Sequence, residues 1–132
     1  MKFALAFALL LIAPAAEARC LIKAQKPMVE AELFFGRDIP GGGKVSDADW
    51  AGFVDGVVAD AFPDGFTVDD AQGAWRDAKT RTAVREDSKV VIVEGDGTKA
   101  FAAKLVHVAD AYKKRFRQDA VGIVTRPICA AF

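Results

Sequence analysis

From Met28 to Arg37 the chain alternates. Val29, Ala31, Leu33 and Phe35 fall on one side, and Glu30, Glu32 and Phe34 on the other. A period of two is the mark of a half-buried strand. A Pro/Gly-rich loop over 38–45 follows. The period then changes. Trp50, Phe53, Val54, Val57, Val58, Ala61 and Phe62 recur at helical spacing, which predicts an amphipathic helix over 47–62. Ser46 is placed to accept a hydrogen bond from the amide three residues on, and Asp47 and Asp49 suit the positive end of a helix. Gly52 and Gly56 lower the helix propensity and leave room for close packing. Pro63-Asp64-Gly65 stops the helix.

Residues 66–77 read as a second strand. Its acids and Gly73 mark it as an edge strand, twisted or bulged near that glycine. Residues 78–87 read as a charged hairpin connection. In the next strand, Ser88 to Glu94, the run Val90 to Val93 is apolar on both faces, as in a strand covered on both sides. Thr98 caps a helix from Lys99 to Arg117, whose buried stripe is Phe101, Leu105, Val108, Tyr112 and Phe116. Gln118-Asp119 breaks it, and 120–132 returns as a last strand, where Pro127 suits an edge. The order βαββαβ is that of an α+β, ferredoxin-like fold. It predicts a four-stranded antiparallel sheet in spatial order 4-1-3-2, with both helices on one face.

The N-terminus has a different pattern. Lys2 precedes an unbroken apolar run from Phe3 to Ala13. The run is shorter than the ~20 residues a membrane-spanning helix needs, and it has the length of a signal-peptide core. Pro14 ends it, and Ala16-Glu17-Ala18 gives a small-x-small cleavage pattern. The expectation is a signal peptide over 1–18, a single domain over 19–132 with no membrane span, and a periplasmic or secreted location. Cys20 raises the alternative of a lipoprotein, but Arg19 and Glu17 stand where small and aliphatic residues belong. The only two cysteines, Cys20 and Cys129, lie near the two ends of residues 19–132. In an oxidising compartment they are expected to pair. They form no CxxC motif, which excludes a thioredoxin-like or zinc-ribbon reading.

The 132 residues carry 18 basic and 18 acidic side chains, and 52% are hydrophobic. That balance excludes a basic nucleic-acid footprint over the whole chain and excludes disorder as the default. Reactive chemistry is sparse. His107 is the only histidine and lies off the helix stripe, and no cluster has metal-ligand spacing, so no metal or cofactor is expected. Ser46 and Ser88 are the only serines, and Ser46 is explained as a cap. Gly41-Gly42-Gly43-Lys44 fails the phosphate-loop pattern, because Val45 follows the lysine and Asp38 stands where the first glycine belongs. The aromatic residues of the helices are expected in the core, with the Tyr112 hydroxyl reaching solvent or a partner.

The sheet face away from the helices is the surface to suspect. Glu32 and Phe34 face it, Trp75 and Arg76 come from the second strand with opposite facing, and Lys89 is expected on the open side. A face carrying aromatics and aliphatics is covered by loops or the N-terminal arm, pairs with a second copy in a homodimer, or holds a ligand. Glu32 is expected to pair with Lys89 or Arg76 across the strands. An enzyme on this face would have Glu32, Arg76, Glu86 and Lys89 to work with. A non-catalytic binding or self-associating module asks less of the residues present.

Five short motifs occur in order: Glu32-Leu33-Phe34-Phe35-Gly36, Phe62-Pro63-Asp64-Gly65, Gly73-Ala74-Trp75-Arg76, Arg85-Glu86-Asp87-Ser88-Lys89 and Ala111-Tyr112-Lys113-Lys114-Arg115-Phe116. Together they resemble the bacterial family called domain of unknown function 3574, over residues 28–132. The resemblance implies a small exported bacterial protein and carries no activity or catalytic residue. Members of the family typically have Tyr and Gln where this chain has Phe34 and Ala74. Without that hydroxyl and amide, a polar reactive site beside Trp75 is the weaker reading.

Overall fold

The computed structural model describes residues 20–132, so the expected leader lies outside the described residues. The elements are β1 (Lys26–Gly36), α1 (Asp47–Phe53), a wide helical turn (Val54–Val58), α2 (Ala59–Ala61), β2 (Thr67–Arg76), β3 (Ala83–Gly95), α3 (Lys99–Phe116) and β4 (Gly122–Ala130). The strands form one antiparallel sheet in the order β2-β3-β1-β4, as expected from the βαββαβ order.

Caps set the helix starts. Ser46 accepts from the Asp49 amide at 3.0 Å, and Thr98 accepts from the Phe101 amide at 3.2 Å. Arg117 ends α3 in the left-handed conformation at φ 54°. The first helix departs from the expected continuous 47–62. Its middle turn is widened, and the Ala59 amide donates to the Val54 carbonyl five residues back. This turn carries beta-branched Val54, Val57 and Val58, which restrict helical packing, and in it Val58 lies in the core while Val54 and Val57 stay at its margin. Gly56 gives no close packing, because a Cβ there would meet nothing within 4 Å.

Alternation in β1 sends Ala31, Leu33 and Phe35 into the core, joined from β3 by Val91 and Val93. Phe35 stands at the centre of an aromatic cluster, with ring centroids 5.3 Å from Trp50, 5.9 Å from Phe53 and 4.8 Å from Tyr112. The Tyr112 hydroxyl does not reach solvent. It donates to the Gly36 carbonyl at 2.9 Å, which satisfies a buried phenol at the end of β1. Desolvation pushes its pKa up to about 12.

Two expectations about the hairpin change. Strand β3 starts at Ala83, so the connection is 77–82 and residues 83–87 belong to the strand. Their ladder partner is β2, with the Arg37 amide just past β1 adding one bond to the Asp87 carbonyl at 3.1 Å, and there charged side chains need no apolar alternation. Nor is there a bulge at Gly73, since the β2–β3 register runs one to one through Gly73↔Glu86. Cys20 and Cys129 form a disulfide, with Cα atoms 5.5 Å apart. It ties the N-terminal arm beside the start of β1, where Gln25 Nε2 donates to the Cys129 carbonyl at 3.1 Å. Among the described residues no helix is long and apolar enough to cross a membrane.

Candidate functional site

The strand register decides which side chains share the open face. Phe34 pairs with Val90 and Gly122, Gly36 with Ser88, Gly73 with Glu86, and Trp75 with Val84. All of these stand on the side away from the helices, because their neighbours Leu33 and Phe35 are the ones buried beneath α1 and α3. At this end of the sheet the face is hollow. Gly36, Ala71, Gly73 and Gly122 supply little or no side chain, while Phe34, Trp75 and Glu86 rise around them. The loops 38–40 and 118–120 complete a groove of ≈ 830 Å³. The described part of the N-terminal arm, residues 20–25, is tied down at the other end of β1 and lines none of it.

The space over two of the glycines is taken by side chains of β3. A Cβ on Gly36 would sit 2.7 Å from Glu86 Oε2, and one on Gly73 would sit 3.2 Å from Ser88 Oγ. The Glu86 carboxylate therefore rests on the β1 backbone, where it accepts from the Asp38 amide at 3.3 Å. Trp75 is 51% exposed and Phe34 39% exposed, so both rings present area to the groove. Among the described residues three carboxylates line it, those of Asp38, Glu86 and Asp119, and no Lys, Arg or His does. Lys44 is the nearest cation to Asp38, at 3.9 Å, but it is drawn to Asp87 at 2.7 Å. That hydrogen bond raises the Lys44 pKa and lowers the Asp87 pKa.

The sequence-predicted residues divide. Phe34 and Trp75 meet in the groove. Glu32 faces the same side but lies farther along β1, where it and Glu30 both pair with Arg126 of β4. Arg126 Nη2 donates to Glu32 Oε1 at 2.7 Å, so the partner of Glu32 is neither Lys89 nor Arg76. The charge of Glu30, then the bond to Glu32, raises the Arg126 pKa.

Lys89 is not on the open side. It stands opposite Phe35, hence on the helix-covered face, and its ammonium pairs with Asp70. The apolar run after it hides the facing, since residues apolar on both faces carry no parity signal. Arg76 shares that other face and donates to the Arg81 carbonyl at 2.6 Å, closing the hairpin. On that side Arg37 donates through Nε to the Val45 carbonyl at 2.9 Å and pairs with Asp47 at 2.8 Å, which fixes the glycine loop to the start of α1.

As a site residue Glu86 appears in the sequence reading only in the enzyme alternative, and Ser88, Gly36 and Gly73, though they fall in the family motifs, are, like Gly122, assigned to no site. Their signal is three-dimensional. Glycines on three strands become one floor only after the register is known. A second cavity, of ≈ 570 Å³, lies at the opposite end of the sheet between Phe62, Phe66, Phe101 and Phe132. Among the described residues no group of three or more His, Cys, Asp or Glu could hold a metal ion.

The fold has counterparts. The chain is similar to a phage SAM lyase in complex with S-methyl-5'-thioadenosine, with a TM-score of 0.63 at 12% identity over 86% of this chain and 97% of that one. It is similar to a phage SAM lyase in the apo state as well, with a TM-score of 0.59 at 14% identity over 88% and 97%. At such identities the likeness is one of fold. No curated protein matches the sequence. A model of the family described as "Protein of unknown function (DUF3574)" matches residues 30–132, nearly all of the described chain, and the protein belongs to that family.

Proposed function

We propose that the protein is a non-catalytic binding module that takes a small ligand in the open-face groove between Phe34, Trp75 and Glu86. The observation that carries this reading is one groove on the open face that brings together two exposed rings, Phe34 and Trp75, and the Glu86 carboxylate, which lies on Gly36 where a side chain would otherwise stand. A groove of ≈ 830 Å³ falls within the ~300–1,000 Å³ of small-molecule sites, which pair apolar walls with a few fixed polar groups. The module works outside the cytoplasm as one domain over 19–132, after loss of residues 1–18. The Cys20–Cys129 disulfide supports that location, since such bonds persist in oxidising compartments.

The second reading is a small enzyme on the same face, favoured by the fold it shares with a lyase. Glu32 is engaged by Arg126, so acid–base work in this reading falls to Glu86.

A thermal-shift screen of nucleosides, amines and amino acids against the protein and its Trp75→Ala variant tests the proposal. The expected result is a ligand that raises the melting temperature of the wild type, leaves the variant unmoved and is recovered unchanged. At about a hundred times Kd such a ligand adds ~2.7 kcal/mol of stability. Equal shifts in both proteins would remove the groove from the function. Conversion of the ligand would favour the enzyme. Self-association that depends on Trp75, seen by sedimentation without any ligand, would make the face a homodimer interface instead.

A further inference from the structure

The groove joins two features that select the same chemistry. Its walls include two exposed aromatic rings, Phe34 and Trp75, and the π face of such a ring attracts cations. Its charged groups are all carboxylates, although the chain as a whole has a formal net charge of +0. The negative charge is therefore local and does not come from an acidic protein. Glu86 is half-buried, receives one hydrogen bond from the protein and has acceptor capacity left over. Of the nearby cations, Lys44 reaches Asp38 only at 3.9 Å and bonds Asp87 at 2.7 Å, Arg37 is held by Asp47 and the Val45 carbonyl, and Lys89 by Asp70 on the other face, so none is paired with Glu86.

A phosphate or carboxylate ligand would meet three carboxylates, only one of which has a cation near it, Lys44 at 3.9 Å from Asp38. An uncharged ligand would leave the carboxylates beside a displaced water layer with nothing to offset it. A positive centre with an apolar shell uses both features, because it stacks on a ring while lying near a carboxylate.

On the reading that the groove is the binding site, we infer that its ligand is a small organic cation: an ammonium or sulfonium with an apolar or aromatic body. Glu86, seated over Gly36, supplies the counter-charge, and Trp75 and Phe34 the cation–π faces.

Three probes of one shape and different charge test this: choline, the uncharged 3,3-dimethylbutan-1-ol and the anionic 3,3-dimethylbutanoate. Binding is read from tryptophan emission at fixed ionic strength, since Trp75 lies in the groove and Trp50 is buried in the core. The expected order of affinity is cation, neutral, anion, with choline at least about tenfold tighter than the alcohol. Glu86→Gln, whose melting temperature is checked first, should weaken choline about tenfold and leave the alcohol unchanged. Should that variant fail to fold, the three probes on the wild type still decide. Equal affinity for choline and the alcohol, tightest binding of the anion, or no response to choline would each overturn the inference. None of these removes the groove as a binding site, which the Trp75→Ala thermal-shift comparison judges separately.

Discussion

Replacing each tryptophan in turn by alanine separates the core from the candidate working surface. Trp50 is 6% exposed and packs on Phe35, Phe53 and Tyr112, with centroid distances of 5.3, 5.9 and 6.0 Å. Truncating a buried aromatic of this kind costs ~3–5 kcal/mol, from the lost transfer energy and the cavity left behind. For a domain near a hundred residues each kcal/mol moves the melting temperature by about 4 °C, so the Trp50→Ala variant should melt roughly 12–20 °C lower. Total stabilities are only ~5–15 kcal/mol, so Trp50→Phe serves as a milder companion. Trp75 is 51% exposed and lines the open-face groove, where truncation leaves a wider groove and no closed cavity. Its loss should cost about 1 kcal/mol or less, a shift of ~4 °C at most. Thermal melts followed by circular dichroism, run beside a ligand titration of each variant, give both readouts. If Trp75→Ala lowers the melting temperature as far as Trp50→Ala and leaves ligand binding intact, Trp75 is a core residue and the groove argument fails.

Three further outcomes follow from the packing. Tyr112 is the one tyrosine of the chain, so tyrosinate absorbance reports it alone, and its native midpoint should fall at about 12 against an ordinary value of 10.0. Because the folded state holds this proton more tightly, that contribution to stability is complete below pH 10.0 and is lost as the pH rises through about 12, and Tyr112→Phe should remove this part of the alkaline unfolding. Gly95→Ala should destabilise by ~1–3 kcal/mol in denaturant titration, since its Cβ would lie 2.3 Å from the Phe101 ring at the end of β3. Reducing the Cys20–Cys129 bond, which closes a separation of 109 residues, should lower stability by up to ~4.7 kcal/mol, with Cys20→Ser matching the reduced protein.

Alternation and capping were enough to read most of the fold. In β1 every second residue is apolar, so the facing of Glu32 and Phe34 was legible without coordinates. Trp75 was legible as an open-face residue beside a strand-edge glycine. Lys89 was not, because Val90 to Val93 are apolar in sequence and only the cross-strand pairing with Phe35 shows which way the lysine turns. Residues 83–87 lack apolar alternation, since they pair with a single neighbour beyond the helix layer, and so they read as a connection. That misreading hid the facing of Glu86. The widened turn at Val54–Val58 was hidden too, because Val57 and Val58 both fit a helical stripe and a single extra residue in the turn decides between them. The groove itself is a property of register. Gly36, Gly73 and Gly122 are far apart in sequence, and each alone reads as a strand end or a flexible point.

Amide chemical-shift mapping with a ligand that emerges from the thermal-shift screen tests the central claim most directly. A ligand seated on the open face should move resonances of residues 34–38, 71–75, 84–88 and 118–122, which line or flank the groove, and should leave α1 and α3 nearly still. Shifts centred on the cavity between Phe62, Phe66, Phe101 and Phe132, or shifts that follow protein concentration and not ligand, would contradict it.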